Sequence, residues 1–182
     1  MVSNKTRKLT TMAILSALAV VLVAVIHFPI FPAVAFLEYD PADIPILICG
    51  FAFGPLAGIA VTVIVSLIQG LTVSAASGVY GIIMHIIATS AFVLTSSLVY
   101  KKHKTKKSAA IAIVLGVLAM TVVMFPANLF ITPAFMGMPR AAMWDFMPYI
   151  LLFNLVKAGI NGIITFFIYK SISKVLHKLD VK

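Results

Sequence analysis

Four stretches of this sequence are apolar over enough consecutive residues to cross a lipid bilayer as single helices. They cover residues 9–28, 79–100, 109–131 and 147–170. A membrane core is roughly 30 Å thick and an α-helix rises about 1.5 Å per residue, so one crossing needs about 20 apolar residues. Only helices and closed barrels satisfy their backbone hydrogen bonds inside lipid. These runs therefore predict an all-α integral membrane protein.

The composition agrees with this class, and the distribution of charge predicts an orientation. The chain has 182 residues, of which 62% are hydrophobic and 10% charged, whereas soluble domains are about half apolar and about a quarter charged. Basic residues precede the first run, crowd residues 101–107, and close the chain at Lys170, Lys174, Lys178 and Lys182. Basic clusters beside apolar spans indicate cytoplasmic segments, so both termini are predicted to be cytoplasmic. A nucleic-acid-binding patch, which needs a folded basic face, is not predicted.

The apolar segment 44–72 is too long for one helix and is interrupted at Gly54-Pro55. Proline disfavours helix in the residue before it, and glycine tolerates almost any backbone conformation. The N-terminus and residues 101–107 are both predicted to be cytoplasmic, so an even number of crossings must separate them. The spans 9–28 and 79–100 account for two, so 44–72 crosses twice or not at all. We predict a short helix at 44–53, shielded from lipid by its neighbours, and a second helix at 56–72. Residues 1–182 then form a single domain, a compact bundle of six transmembrane helices.

The first outer loop, residues 29–43, is long, apolar and rich in proline. Long ordered loops are often binding elements, so we predict that it folds back over the bundle as a lid. The alternative is a loop that rests among the lipid headgroups. Two further outer loops are predicted at about 73–78 and 132–146. The outer loops together hold four of the five acidic residues, Glu38, Asp40, Asp43 and Asp145.

Three polar residues, Asn154, Lys157 and Asn161, interrupt the last apolar run. Their i, i+3, i+7 spacing places them on one helical face, with Lys157 about 14 Å along a helix that starts near Pro148. A charge near the membrane midplane costs roughly 2.5–3.5 kcal/mol, and no Asp or Glu lies within the predicted spans. Lys157 is therefore predicted to contact a ligand, whereas hydrogen bonds between helices suffice to explain Asn161.

A further asparagine, Asn128, lies near the outer end of the fifth span, and its amide both donates and accepts hydrogen bonds. Asn128, Asn154 and Lys157 are predicted to meet in one cavity open to the outside, because apolar pockets with a few convergent polar groups are typical small-molecule sites. Aromatic residues near these positions suit either the cavity or an interfacial belt. They are Phe125, Phe130, Phe135, Trp144, Phe146 and Tyr149.

Motifs for catalysis or for an internal motor are missing from the sequence. There is no G-x-x-x-x-G-K-[ST] phosphate loop and no H-E-x-x-H, and the spans contain no paired carboxylates for proton coupling. His85 fits a hydrogen bond between helices better than a metal ligand, and the single cysteine, Cys49, fits a packing role. No catalytic residue, metal or cofactor is predicted, which disfavours a membrane enzyme.

Four segments in order resemble the substrate-binding S components of energy-coupling factor (ECF) vitamin transporters. They are "FLEYDPADIP", "FAFGPLAGIAV", "FPANLFITPAF" and "LLFNLVKAGI". Within that family they resemble the riboflavin-specific branch, whose D-x-x-D-[IV]-P pattern Asp40 and Asp43 fit. The resemblance implies a multi-pass protein of a bacterial plasma membrane. It would capture riboflavin beneath the first loop and work with a transmembrane coupling subunit and two ATPase subunits. An S component for thiamin, biotin or folate, or a stand-alone small transporter, remains an alternative.

The resemblance also implies roles for individual residues toward riboflavin, which is the transported ligand and not a cofactor. Asn128, Asn154 and Lys157 would contact the isoalloxazine edge, whose carbonyl oxygens and imide N–H need both donors and acceptors. Leu37 would close the lid. Ser77 and Gly78 would line the site.

Two small residues on the first helix, Ala13 and Ala17, lie four positions apart. In this family such a motif faces the coupling subunit. Small residues at this spacing let any helix approach closely, so the alternatives are a packing seam within the bundle or chance in a chain rich in alanine.

Overall fold

The computed structural model describes residues 3–180 of the chain, apart from the side chains of Lys170 and of residues 172–180. The predicted basic C-terminal cluster lies outside the described residues. It consists of Lys182 and of the side chains of Lys170, Lys174 and Lys178. Within the described part there are six α-helices: α1 Asn4–Val25, α2 Asp43–Phe53, α3 Pro55–Leu71, α4 Gly78–Lys102, α5 Lys106–Met136 and α6 Met143–Asp180. The predicted all-α bundle of six helices is confirmed.

Four segments of the described chain are long and apolar enough to cross a membrane, namely Asn4–Val25, Ala75–Lys102, Lys106–Met136 and Arg140–Tyr169. Large apolar side chains face outward along them; Ile14, Val122 and Phe167, for example, are 62%, 68% and 67% exposed. Soluble monomers rarely expose contiguous apolar surface on this scale. The outer surface of the bundle is therefore suited to lipid.

The break between α2 and α3 occurs at Gly54, as the sequence predicts. Gly54 has φ 91° and ψ 170°, a backbone conformation that residues other than glycine rarely adopt. Pro55 follows as the first residue of α3. Every residue of α2 is buried, because α1, α3, α4 and α6 all pack against it. The prediction that this short helix is shielded by its neighbours is confirmed.

Local capping determines where the long helices begin and end. Ser3 Oγ accepts a hydrogen bond from the Thr6 amide at the start of α1. Pro133 lies inside α5 and does not end it; the helix stops at Gly137, which is left-handed at φ 65°, as glycines after helix ends often are. Consequently most of segment 132–146, predicted as a loop, is helical.

The first loop, residues 26–42, folds back onto the bundle. Its ends form a two-residue antiparallel ladder in which Phe28 lies opposite Tyr39. A short 3₁₀ turn, Pro32–Val34, lies between these strands, and the buried Val34 packs in one cluster with Met143 and Ile150 of α6. The loop is therefore an ordered cover on α6.

Gly116 lies at a close contact between α5 and α4. A Cβ at this position would overlap Ser96 Oγ and come within 2.6 Å of Phe92 Cδ2. We expect Gly116→Ala to destabilise the protein by about 1–3 kcal/mol, the usual cost of overpacking. Gly159→Ala is the matched control, because a Cβ on this helical glycine would meet no atom within 4 Å. Thermal unfolding in detergent compares the two; equal melting temperatures would contradict the expectation.

Candidate functional site

A cavity of about 1030 Å³, its open mouth included, lies beneath the first loop; we call it the loop cavity. The loop, the C-terminal end of α3, the N-terminal half of α4 and parts of α5 and α6 enclose it. Apolar side chains such as Met84, Met120 and Phe153 form much of its wall. An apolar wall with a few convergent polar side chains is the usual form of a small-molecule site.

Most of the residues predicted to bind substrate lie on this cavity wall. Those that line it are Leu37, Ser77, Asn128, Asn154 and Lys157. Gly78 is not part of the wall; it starts α4 with φ 52°, so it turns the chain behind Ser77. Helices α5 and α6 bring Asn128, Asn154 and Lys157 to the wall of one cavity, as the sequence analysis predicts.

Lys157 has an acidic partner, and the expectation that it lacks one is wrong. Its Nζ lies 2.6 Å from Asp40 Oδ2, and both residues are buried, at 6% and 4% exposed. Asp40 belongs to the first loop, 117 residues earlier in the chain. The loop folds into the bundle far enough to place a carboxylate against a lysine of α6, which no pattern within the last span indicates.

The Asp40 carboxylate is ionised although it is buried. Burial alone raises its pKa, but the charge of Lys157, with smaller contributions from His85 and from the Ala42 amide, brings the pKa below its ordinary value of 3.8. A lowered pKa in the folded state stabilises the fold at every pH above that ordinary value. This contribution is lost only when the pH falls through the folded-state pKa, so the ion pair persists at neutral and mildly acidic pH.

Asn161 joins the loop to two helices through its side chain. Its Nδ2 donates to Asp40 O and to Asp43 Oδ2, both at 2.9 Å, and its Oδ1 accepts from the Tyr39 hydroxyl at 3.0 Å. Thr89 of α4 donates to Asp43 Oδ1 at 2.7 Å. The sequence predicted bonds between helices for Asn161; the bond to Asp43 in α2 is one, but the loop supplies the others.

His85 extends this polar network along the cavity wall. Its Nδ1 lies 2.7 Å from Ser66 Oγ of α3, and its Nε2 lies 3.5 Å from Thr89 Oγ1. The first contact is the hydrogen bond between helices that the sequence favoured for this histidine.

Asn128 and Asn154 each bind the backbone of their own helix. Asn128 Nδ2 donates to Met124 O and Asn154 Nδ2 donates to Ile150 O, both at 2.8 Å, and Thr132 donates to Asn128 Oδ1 at 3.0 Å. An amide nitrogen carries two hydrogens, so one N–H of each asparagine has no partner among the described residues. These local bonds fix the side chains against the cavity and keep donor capacity for a ligand.

Gln69 is a cavity residue that sequence reasoning missed. It is 8% exposed and lines the loop cavity, and its Oε1 has no hydrogen-bond partner among the described residues. A buried acceptor without a donor is unfavourable by about 1–3 kcal/mol, so this oxygen is ready for a ligand donor. A single glutamine near the end of an apolar helix was the only signal that could have indicated it.

Aromatic residues near the cavity divide into two groups. Of those that the sequence singled out, Phe135 lines the cavity and lies 5.5 Å from Tyr80, centroid to centroid. Phe130 and Trp144 are more than half exposed on the outside of the bundle, as residues of an interfacial belt are.

Ala13 and Ala17 are exposed on α1, away from the loop cavity. The buried face of this helix is formed by other residues, namely Leu15, Ser16, Ala19 and Val23. A packing seam within this protein's own bundle is therefore excluded as the role of the alanine pair.

Removing the Asn161 amide would leave several buried polar groups without partners. We expect Asn161→Leu to lower stability by about 3 kcal/mol or more, because Asp43 Oδ2 and Asp40 O lose their donor and charged groups are affected most. Asn154→Leu is the control, since the Asn154 side chain bonds to Ile150 O of its own helix; it should destabilise less. Thermal unfolding in detergent measures both, and a smaller effect at Asn161 would contradict the network.

Comparison with known proteins identifies related chains over almost the whole sequence. The family described as "ECF transporter, substrate-specific component" matches residues 7–172. Riboflavin transporter FmnP of Bacillus subtilis (strain 168) is 36% identical over 134 residues, which are 72% of this chain and 70% of that protein. Riboflavin transporter RibU of Staphylococcus aureus (strain TCH60) is 28% identical over 183 residues, 97% of this chain and 95% of that protein.

A further relative and a solved structure agree with these matches. Riboflavin transporter RibU of Streptococcus thermophilus (strain ATCC BAA-250 / LMG 18311) is 31% identical over 188 residues, 97% of this chain and 87% of that protein. The structure described as the S component of a bacterial ECF transporter superimposes with a TM-score of 0.84 at 28% identity. It covers 94% of this chain and 98% of its own.

Proposed function

Because this chain belongs to the substrate-specific components of ECF transporters, we propose that it binds riboflavin in the loop cavity and delivers it for import. It is a bacterial membrane protein and a transporter component, not an enzyme, and riboflavin is its ligand and not a cofactor. Riboflavin is favoured over thiamin, biotin and folate because the named relatives are riboflavin transporters. The observation that carries the proposal is the buried cavity in which Asn128, Asn154 and Lys157 converge.

The isoalloxazine edge suits the three convergent side chains. It carries carbonyl oxygens and one imide N–H, so it needs donors and one acceptor. Lys157 has three ammonium hydrogens, of which Asp40 uses one in the contact described. The others, with the free N–H groups of Asn128 and Asn154, supply the donors, and the amide oxygens supply the acceptor.

The rest of the wall suits the remainder of the flavin. Leu37 covers the site from the loop, and Ser77 also lines it, next to the turn that Gly78 sets. Gln69 Oε1, which lacks a donor among the described residues, would accept a hydrogen bond from a ribityl hydroxyl.

The first loop would act as a lid that the ion pair holds shut. Asp40 is a loop residue, and its contact with Lys157 ties the loop to α6 at the cavity itself. A ligand carbonyl that binds Lys157 competes with, or adds to, this contact. Opening of residues 26–42 would admit riboflavin, and the restored contacts would close the loop over it.

Delivery would require partners outside this chain. The exposed Ala13 and Ala17 offer a shallow surface on α1, and small residues allow close helix approach. We assign this surface to the transmembrane coupling subunit, which two ATPase subunits would drive. Six crossings by one domain of the plasma membrane, with both termini cytoplasmic, agree with the basic segments of the sequence.

Tightly bound riboflavin would be visible without a label. The absorption spectrum of the detergent-purified protein should contain flavin bands that correspond to about one riboflavin per chain. If the bands are absent after purification, they should appear when riboflavin is added and the unbound ligand is removed. Quenching of riboflavin fluorescence gives the same information in titration. A protein that is folded, colourless and unable to quench riboflavin would overturn the substrate and leave the family unaffected.

Gln69→Leu should discriminate between flavins. We expect it to lower riboflavin affinity by about 2- to 10-fold, the value of one neutral hydrogen bond. Lumiflavin, which lacks the ribityl chain, should bind the variant and the unchanged protein equally. Fluorescence titration with both ligands tests this, and equal losses for the two flavins would show that Gln69 acts on the ring or on the fold.

A further inference from the structure

A second cavity, of about 740 Å³ with its open mouth included, lies at the opposite end of the bundle. The loop cavity lies at the C-terminal end of α3 and the N-terminal half of α4; the second lies at the N-terminal end of α3 and the C-terminal end of α4. Three lysines line it, Lys8, Lys101 and Lys104. We call it the basic cavity.

The positive charge of the basic cavity has no compensation within its walls. None of the residues described as lining it is acidic, and the ion pair found in the described part of the chain, Lys157–Asp40, belongs to the loop cavity. Lys8 lies half-buried with its ammonium 5.7 Å from the centre of the Phe53 ring, so it is held at the cavity and does not extend away from it.

The N-terminus of α3 opens into the same cavity. Gly54 precedes this helix of 17 residues and no side chain caps it, while Gly54, Pro55, Leu56 and Ala57 all line the wall. The first amides of a helix have no intrahelical acceptor, and the aligned peptide dipoles make this end positive. Helix N-termini of this kind commonly bind phosphate groups.

A buried hydroxyl provides independent evidence of a missing partner. Ser97 of α4 lines the basic cavity and is 1% exposed, and its Oγ has no hydrogen-bond partner among the described residues. Leu56, also on the wall, is 81% exposed. The cavity thus places three lysines and a buried hydroxyl beside the apolar outer surface of the bundle.

We propose that the basic cavity is an anion site for a phosphate group, supplied by the headgroup of an anionic phospholipid. The lysines give point charges for phosphate oxygens, and the α3 amides and the Ser97 hydroxyl give directed donors. Basic pockets at the ends of transmembrane helices bind acidic headgroups. The exposed Leu56 lies where acyl chains would continue along the bundle, which favours a lipid over free phosphate.

Lipid binding to the delipidated full-length protein tests the site. Native mass spectrometry would count bound phosphatidylglycerol and phosphatidylcholine, and thermal unfolding with inorganic phosphate would probe the free anion. The test variant replaces Lys8, Lys101 and Lys104 by glutamine. The matched control replaces Lys102, Lys106 and Lys107 by glutamine, which removes the same charge from exposed positions outside the cavity.

We expect phosphatidylglycerol to bind more tightly than phosphatidylcholine, and the test variant to lose about tenfold or more in affinity while the control keeps it. Ser97→Ala should weaken binding to a smaller extent with unchanged helicity. Stabilisation by inorganic phosphate alone, lost only in the test variant, would keep the anion site and replace the lipid by free phosphate. Equal losses in both lysine variants, or no binding of either probe, would overturn the proposal, and an acidic protein surface would then be the alternative partner.

Discussion

Lys157→Met is expected to reduce riboflavin affinity by about 10- to 100-fold and to destabilise the protein at the same time. A hydrogen bond to a charged group contributes about 1.5–3 kcal/mol, which accounts for the affinity. Asp40 would remain buried without its partner at 2.6 Å, and breaking a buried pair from one side costs about 3–5 kcal/mol. Fluorescence quenching measures the first effect, and thermal unfolding in detergent measures the second.

The double variant Asp40→Asn with Lys157→Met separates binding from stability. It removes both charges, so no unpaired carboxylate stays buried, and exchanging a buried pair for neutral residues is often close to neutral. We expect most of the stability to return and the riboflavin affinity to stay low, because the ammonium donors are still missing. Recovery of binding in the double variant would show that Lys157 serves only to neutralise Asp40.

Ala13→Leu with Ala17→Leu is expected to abolish riboflavin uptake and to leave riboflavin binding unchanged. Both alanines are exposed on α1 and line neither the loop cavity nor the core. Larger side chains prevent the close helix approach that small residues allow, so docking of the coupling subunit should fail. Uptake by proteoliposomes that hold the complete transporter should fall by about tenfold or more.

The control for this prediction is Ala110→Leu with Ala134→Leu, at two exposed alanines of α5. It adds the same apolar volume to another outer surface of the bundle and should retain uptake. Equal uptake by the α1 variant and the control would contradict the docking surface. A loss of riboflavin binding in the α1 variant would instead indicate damage to the fold.

Much of the architecture could be predicted because a bilayer restricts what a chain can do. Apolar length sets the number of possible crossings, and the Gly54-Pro55 break predicted two helices within 44–72, which the structure confirms. Helical periodicity also placed Asn154 and Lys157 on one face, and both line the loop cavity. These are properties of residues that are close together along the chain.

Helix ends were predicted less well, since they depend on single residues. The sequence suggested an outer loop at 132–146, but Pro133 is accommodated inside α5, which continues to the left-handed Gly137. Proline is tolerated in membrane helices when neighbours satisfy the freed backbone groups. Whether they do so is a matter of packing, which local sequence does not encode.

The sequence alone thus determined that this chain is a bundle of six helices with a polar stripe on the last one, because hydrophobic length and helical period are properties of neighbouring residues. Only the tertiary structure decided how that stripe is neutralised. Asp40 reaches Lys157 across 117 residues of chain, and Asp43 meets Asn161 and Thr89 from two other helices. Burial forces each charge to find a partner, but which partner it finds depends on how the loop and helices pack in space.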